Sequence, residues 1–245
     1  MGKRDATEIG RFKILREEFD ISPVFIHTSY LINLASSDKD LMSRSVDMVV
    51  KELNIADEIG ADYVVLHTGS ASGDEPSSAR MRARKALASV SEQGNWNAGL
   101  LLENTAGEKG DITSRIAEIA EIREQVSPGL ISGICLDTCH AFSAGYDITS
   151  PEGISALAAE VESFFGKAAL KLIHLNDSKK PVGSGVDRHE HIGQGTIGEK
   201  GLRGFLLHPL FLNVPLVLET PKKSDDDDSR NVRRVRNMLR QGPEI

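Results

Sequence analysis

Six apolar runs in this 245-residue chain each stop on a residue able to bind a metal. They are VFIH at His27, VVLH at His67, LLLE at Glu103, ICLD at Asp137, KLIH at His174 and LVLE at Glu219. The intervals between these end residues are 40, 36, 34, 37 and 45. One run of this kind is ordinary; six at near-regular spacing describe a repeated unit. Two further stretches are dense in the same groups. GICLDTCHAFSAGYD (133–147) sets His140 three residues after Asp137, and HLNDSKKPVGSGVDRHEHIGQG (174–195) carries Asp187-x-His189 and a further His191. Imidazole nitrogen and carboxylate oxygen without thiolate suit zinc or manganese rather than an iron–sulfur cluster. The chain reads as a polynuclear metal enzyme.

Such residues need a scaffold that brings them together. Short β-rich runs separated by helix-length segments describe consecutive βα units in a parallel sheet. Residues at the carboxyl ends of those strands reach one face, where α/β barrels keep their chemistry. Side chains alternate along a strand, so the residue two before each ligand should also face inward. Those residues are Phe25, Val65, Leu101, Cys135, Leu172 and Val217, an apolar interior layer. The residues between, Ile26, Leu66, Leu102, Leu136, Ile173 and Leu218, are aliphatic, as strands covered by helices require. Helices are expected over about 5–19, 37–59, 77–93, 111–126, 151–165, 199–207 and 229–240, the second running from Ser37 or Asp38 as cap to Gly60 as stop. The arginines of the last one are expected on a solvated outer face. Gly69 and Gly145 are expected in tight turns after strands. A closed barrel of this class has eight strands; six are found, and the first two, with the helix between them, are missing.

Composition bounds the rest. The length suits one partial barrel domain over 1–245. The start, MGKRDATEIGRFK, is too polar for a signal peptide, and no apolar run approaches membrane-span length. Cys135 and Cys139 share one run, which points to core positions in a reducing, cytoplasmic setting rather than a disulfide framework. Net charge is −7, but three bound divalent cations would bring it to about −1, so the global sum does not exclude an anionic partner.

The motifs HTSYLINLA (27–35), LLENTAG (101–107), LDTCHAFSAGYD (136–147), HLNDSK (174–179), VDRHEHIGQGTIG (186–198) and LVLETP (216–221) closely resemble the endonuclease IV family of apurinic/apyrimidinic endonucleases. The resemblance runs from about residue 20 to 222, in the family's order. It implies a xylose-isomerase-like TIM barrel with three zinc ions at its mouth, manganese being possible at one site. Carried over by motif, His27 and His67 hold one zinc with Glu103. Glu103 bridges to a second, completed by Asp137, His174 and Glu219, and His140, Asp187 and His189 hold the third. The implied reaction is hydrolysis 5′ to an abasic deoxyribose, leaving a 3′-hydroxyl and a 5′-deoxyribose phosphate, with removal of blocking groups from 3′ ends. Glu103 is the candidate to orient or deprotonate the attacking water. Tyr30 and Arg188, beside ligands, are candidates to touch the damaged nucleotide or its phosphates. The partner is double-stranded DNA, no membrane is expected, and the protein is expected to be a monomer.

One departure matters. The family begins with two further βα units, and the loop after the second enters the minor groove at the lesion. A missed upstream start codon or true loss both account for their absence here. A barrel lacking them exposes strand edges prone to association and leaves mainly non-specific phosphate contacts to bind DNA. Two other functions compete. A metal-dependent sugar isomerase or epimerase of related barrel fold would use two metals and leave Asp187-x-His189 idle. A non-catalytic remnant would keep the ligands and lose the geometry.

Overall fold

The structure is a computed structural model that describes residues 5–124, 126–127 and 129–240. Residue 125 of the helix expected over 111–126 lies outside the described residues.

Six strands form one parallel sheet: β1 (Phe25–His27), β2 (Tyr63–Leu66), β3 (Gly99–Glu103), β4 (Ile131–Asp137), β5 (Leu170–His174) and β8 (Leu216–Val217), side by side in that order. Between β5 and β8 a two-residue antiparallel pair, β6 (Asp177–Ser178) and β7 (His189–Glu190), forms a separate ribbon. The helices are α1 (Ala6–Glu18), α2 (Lys39–Ile59), α3 (Pro76–Ser91), α4 (Ile116–Arg123), α5 (Thr138–Ser143), α6 (Pro151–Phe165), α7 (Gly198–Leu207) and α8 (Asp227–Arg240). Each main strand thus leads into helix before the next strand, the connection that keeps a sheet parallel.

Local chemistry sets the helix bounds. Asp38 caps α2 by accepting from the backbone N–H of Asp40 and Leu41, and Gly60 ends it in the left-handed region at φ +74°, where an L side chain would be strained. Ser150 caps α6 through Gly153 N–H, with Pro151 in its first turn, where the missing N–H costs nothing. The expected helix over 111–126 starts only at Ile116. Asp111 turns its carboxylate back to accept from Gly107 and Glu108 N–H at 2.9 and 2.8 Å, and this local turn outcompetes helix. Along α8, Arg230, Arg233, Arg236 and Arg240 are exposed while Asn231, Val235 and Met238 are buried.

The core has two layers separated by the sheet. Val65, Leu101, Cys135 and Leu172 are buried inside the curl, with Phe25, Tyr63 and Val217 packed against them. Leu66, Leu102, Leu136 and Ile173 point outward into the larger core built with the helices, which Ile26 and Leu218 also join. The alternation expected from the strand sequences is present on both faces. Among the described residues β1 pairs only with β2 and β8 only with β5, leaving a slot between β1 and β8. A cavity of about 420 Å³ fills the slot, lined by Phe12 and Leu15 of α1, Phe25 and His27 of β1, and Val217 and Glu219 at β8. Helix α1 is fixed beside it by an ion pair of Arg16 with Asp62 at 2.6 Å; the same carboxylate accepts from Val24 N–H at the entry to β1.

Candidate metal centre

Strand register explains why the end residues meet. His27 pairs with Val65, two residues before His67. Glu103 pairs with Cys135, two before Asp137. Asp137 pairs with His174, and His174 with Val217, two before Glu219. These two-residue offsets are the stagger that tilts strands in a barrel; they hold the six ligand-type residues level around the axis. His67 and Glu219 lie just past the ends of β2 and β8 rather than within them.

The remaining three come from the loops above. Asp137 caps α5, its Oδ1 accepting from His140 N–H at 2.7 Å. One turn of helix therefore puts His140 beside Asp137. Asp187 and His189 arrive on the segment leading into β7, where His189 pairs with Ser178 of β6.

At the centre sits Glu103, fully buried. Its Oε1 lies 2.9 Å from His174 Nδ1 and 3.6 Å from His140 Nδ1; its Oε2 lies 2.9 Å from His27 Nε2 and 3.3 Å from His67 Nε2. Glu219 Oε2 is 3.2 Å from His174 Nδ1. Asp187 holds His140 Nε2 at 3.3 Å and His189 Nε2 at 3.2 Å. All nine residues expected from the sequence converge. Glu103, Asp137, His174 and Glu219 form one group with donor atoms close enough to share a cation, and His140, Asp187 and His189 form another. Around Glu103 Oε2 the grouping differs from expectation: His27 groups with Glu103 and His174, and His67 with Glu103 and His140.

The histidines are pre-oriented. Nδ1 of His27, His140 and His189 faces the main-chain carbonyl of Thr28, Asn104 and Glu219 at 2.9, 2.9 and 3.0 Å. A ring N–H donated there leaves Nε2 as the free lone pair aimed at the site. In this arrangement a bare imidazole nitrogen and a carboxylate oxygen face each other at about 3 Å. Two lone pairs cannot rest that way, so a proton or a cation must lie between them.

Without a metal the protons are held. Burial opposes charge on His140, but Asp137, Asp187 and Glu103 outweigh it and raise it from 6.5 to about 10. For His189 burial is likewise outweighed, by Asp187 and Asp137, giving about 9. Burial would raise Glu103, yet His67, His174 and His27 hold it well below the usual carboxylate range. His67 is the exception among them: burial dominates and lowers it.

The residues fit a metal on three observations. The donors are nitrogen and oxygen in the mixture zinc favours. The N···O separations match two ligands of a tetrahedral zinc, which lie roughly 3.3 Å apart when each bond is about 2.0 Å. Finally, His189 Nε2 is buried without a well-aligned hydrogen bond, between Asp187 Oδ1 at 3.2 Å and Asp137 Oδ2 at 3.7 Å, where a cation would satisfy all three. Cys139 reaches the margin of this group, near Asp137 and His189, but burial pushes its thiol up to about 12. Both cysteines are free.

Tyr30 and Arg188 flank the centre in the open. Tyr30 is 92% exposed and shares a cleft of about 360 Å³ with His67, His140 and Asp187. Arg188 Nη1 donates to the Asp187 carbonyl at 2.6 Å. His191 and His208 stay outside: Asn231 contacts His191 Nδ1 at 3.1 Å, and His208 caps the end of α7. Residues that sequence reasoning passed over include Asn33, whose amide joins the Tyr30 loop to Ser70, and Glu108, which accepts from Asp187 N–H at 3.2 Å. Asn33 stands inside HTSYLINLA and Glu108 directly after LLENTAG, so a polar residue beside each ligand motif was the available signal.

Comparison with known proteins shows the fold and the family. Residues 3–242 match the family described as xylose isomerase-like TIM barrel. A protein of Persephonella marina named "Probable endonuclease 4" is 41% identical over 229 residues, covering 93% of this chain and 80% of that one. One of the same name from Aquifex aeolicus is 41% identical over 207 residues, covering 84% and 73%. The crystal structure of endonuclease IV from Thermus thermophilus superposes with a TM-score of 0.82 at 34% identity, over 98% of this chain and 84% of that one. A D-tagatose 3-epimerase-like protein, 18% identical with a TM-score of 0.72 over 96% and 84% of the two chains, shares the fold. On the identity and coverage of these relatives, the chain belongs to the endonuclease IV family.

Proposed function

We propose that this chain is a zinc-dependent DNA repair endonuclease that hydrolyses the phosphodiester 5′ to an abasic site and trims blocked 3′ ends. Three zinc ions are assigned to it, with manganese possible at one position. The first falls to His27, His67 and Glu103, the second to Glu103, Asp137, His174 and Glu219, and the third to His140, Asp187 and His189. The observation that carries this reading is the Glu103 carboxylate, dry and ionised, with histidines against each oxygen. A carboxylate shared in this way suits adjacent cations, and adjacent cations suit an anionic phosphodiester.

Bound zinc would supply Lewis acidity toward the phosphate and ease ionisation of water near neutral pH. The chain's own groups do the rest. Glu103, kept ionised by its histidines, can accept a hydrogen bond from the attacking water and orient it in line with the scissile bond. Thr28, Asn104 and Glu219 carbonyls hold three imidazoles in one tautomer, so the site pays no reorganisation at the moment of reaction. Tyr30 offers an exposed ring on which a nucleotide can stack, and Arg188 a guanidinium for its phosphate. Among the described residues no helix is long and apolar enough to cross a membrane, and free thiols suit a reducing cytoplasm.

The test is incision of a duplex bearing one abasic analogue by zinc-loaded protein, beside Glu103→Gln. Zinc-dependent cutting 5′ to the lesion, lost in the variant, is expected. Turnover of a free aldose without incision would replace this reading with the isomerase. Three bound zinc ions and neither activity would leave a remnant.

A further inference from the structure

Asn104 and Asn176 are buried to within 1%, and both ends of each side-chain amide are engaged at the ligand-type residues. The last paired residues of β3 and β4 are Glu103 and Cys135. Beyond that point Asn104 Oδ1 accepts from Asp137 N–H at 2.7 Å and its Nδ2 donates to the Asp137 carbonyl at 3.1 Å. The side chain thus extends the ladder where the backbones part, while its own carbonyl takes His140 Nδ1. Asn176 bridges two ligands directly. Its Nδ2 donates to Asp137 Oδ2 at 2.6 Å and its Oδ1 accepts from Glu219 N–H at 2.8 Å. Its main chain is pinned by Thr138 Oγ1, which accepts from Asn176 N–H and donates to the Asn176 carbonyl.

We propose that Asn104 and Asn176 are positioning residues for the metal centre, and that Asn176 couples Asp137 to Glu219 by fixing the Asp137 carboxylate against the Glu219 main chain. The inference rests on the metal-centre reading above. Asp137 Oδ1 already accepts from His140 N–H and Oδ2 from Asn176, so each oxygen keeps one lone pair in a fixed direction. Replacement of either asparagine by aspartate can keep the bond in which its oxygen accepts, but it removes the one that Nδ2 donates to Asp137, because a carboxylate has no donor and sets acceptor against acceptor. Partners behind metal ligands of this kind typically change metal affinity by about 10- to 100-fold when removed.

The experiment compares wild type, Asn176→Asp, Asn104→Asp and the milder Thr138→Val, which removes only the hydroxyl that pins Asn176. Zinc content, zinc transfer to a chromogenic chelator and the visible spectrum of the cobalt(II)-loaded protein are measured on material whose fold is checked by circular dichroism. Expected are zinc affinity lower by about 10- to 100-fold in the aspartate variants, a shifted cobalt spectrum, and the same shift to a smaller degree in Thr138→Val. Wild-type affinity and an unchanged spectrum in the folded variants would overturn the proposal, as would that result in Thr138→Val alone if the aspartate variants do not fold. Wild-type protein that takes up neither zinc nor cobalt would overturn the metal centre itself, and the positioning role with it.

Discussion

Glu103 Oε2 lies 2.9 Å from His27 Nε2, although the two residues stand on strands separated by β2. Only the curl of the sheet brings them together, the carboxylate fully buried and the imidazole partly exposed. Glu103→Gln keeps the shape and removes the charge and one acceptor. Incision should fall by about 10²–10⁴-fold, accompanied by loss of zinc that elemental analysis would detect. Full zinc content with full activity would remove Glu103 from the mechanism.

The protons on the histidines give a pH dependence whose sign is fixed. His140 and His189 are raised from 6.5 to about 10 and about 9 in the metal-free protein. A raised histidine stabilises the fold fully below about pH 6.5, and that contribution is lost as pH climbs through about 9–10. Metal-free protein should therefore melt at lower temperature as pH rises from about 7 to 10. Zinc must displace the same protons, so its binding should tighten over that interval. Calorimetry in buffers of different ionisation enthalpy would count the protons released; none released contradicts the assignment.

Tyr30 and Arg188 make a contrasting pair of probes. With Tyr30 almost wholly exposed, Tyr30→Ala should alter stability by less than about 0.5 kcal/mol while weakening binding to abasic duplex. Arg188→Ala should weaken binding evenly across sequences and reduce the slope of log affinity against log salt by about 1. Fluorescence anisotropy at several salt concentrations reads both.

Gly69 follows His67 and has φ +104°, and a Cβ there would lie 2.2 Å from Asn33 Oδ1 and 2.7 Å from its Cα. Gly69→Ala must move the loop carrying Tyr30 or strain its own backbone. A stability loss of about 1–3 kcal/mol is expected, with weaker DNA binding than stability alone explains. A denaturant titration beside a binding curve separates the two.

Chelation offers a test of the slot. His27 comes from β1 on one bank and Glu219 follows β8 on the other, and both converge on the Glu103–His174 pair. Metal removal should raise hydrogen exchange first at Phe25–His27 and Leu216–Val217, while Leu100–Leu102 in the middle of the sheet stay protected. Uniform change across all six strands would show that the banks are held by packing alone.

Much of this was legible in the sequence for a simple reason. Barrel strands are buried on both faces, so Val65 and Leu66, or Leu101 and Leu102, declare their sides by alternation, and the polar residue that follows declares the rim. Helix α2 was readable from Asp38 and Gly60, which act through local backbone geometry. What could not be read depends on partners far along the chain. Asp111 takes two loop amides in place of a helical turn, and α4 starts late. The short helix α5 and the β6–β7 ribbon are too brief for a periodic pattern. Nor does sequence say which ring nitrogen a histidine presents, or that the donor atom of His27 groups with Glu103 and His174 rather than with His67. Asn104 and Asn176 stood in plain view inside LLENTAG and HLNDSK, but their bonds run across strands to Asp137 and Glu219.

The stagger between neighbouring strands has a parity. Because the offsets from His27 to His67, Glu103 to Asp137 and His174 to Glu219 come in twos, each ligand keeps the inward phase of its strand. Lengthening a strand by one residue near its upper end would turn that ligand toward the helices and bring an aliphatic side chain into the rim, whereas a change of two would only raise or lower it. Single-residue insertions at the rim should thus be far more damaging than double ones, an odd–even rule that the tilt of the strands imposes on how this scaffold can vary.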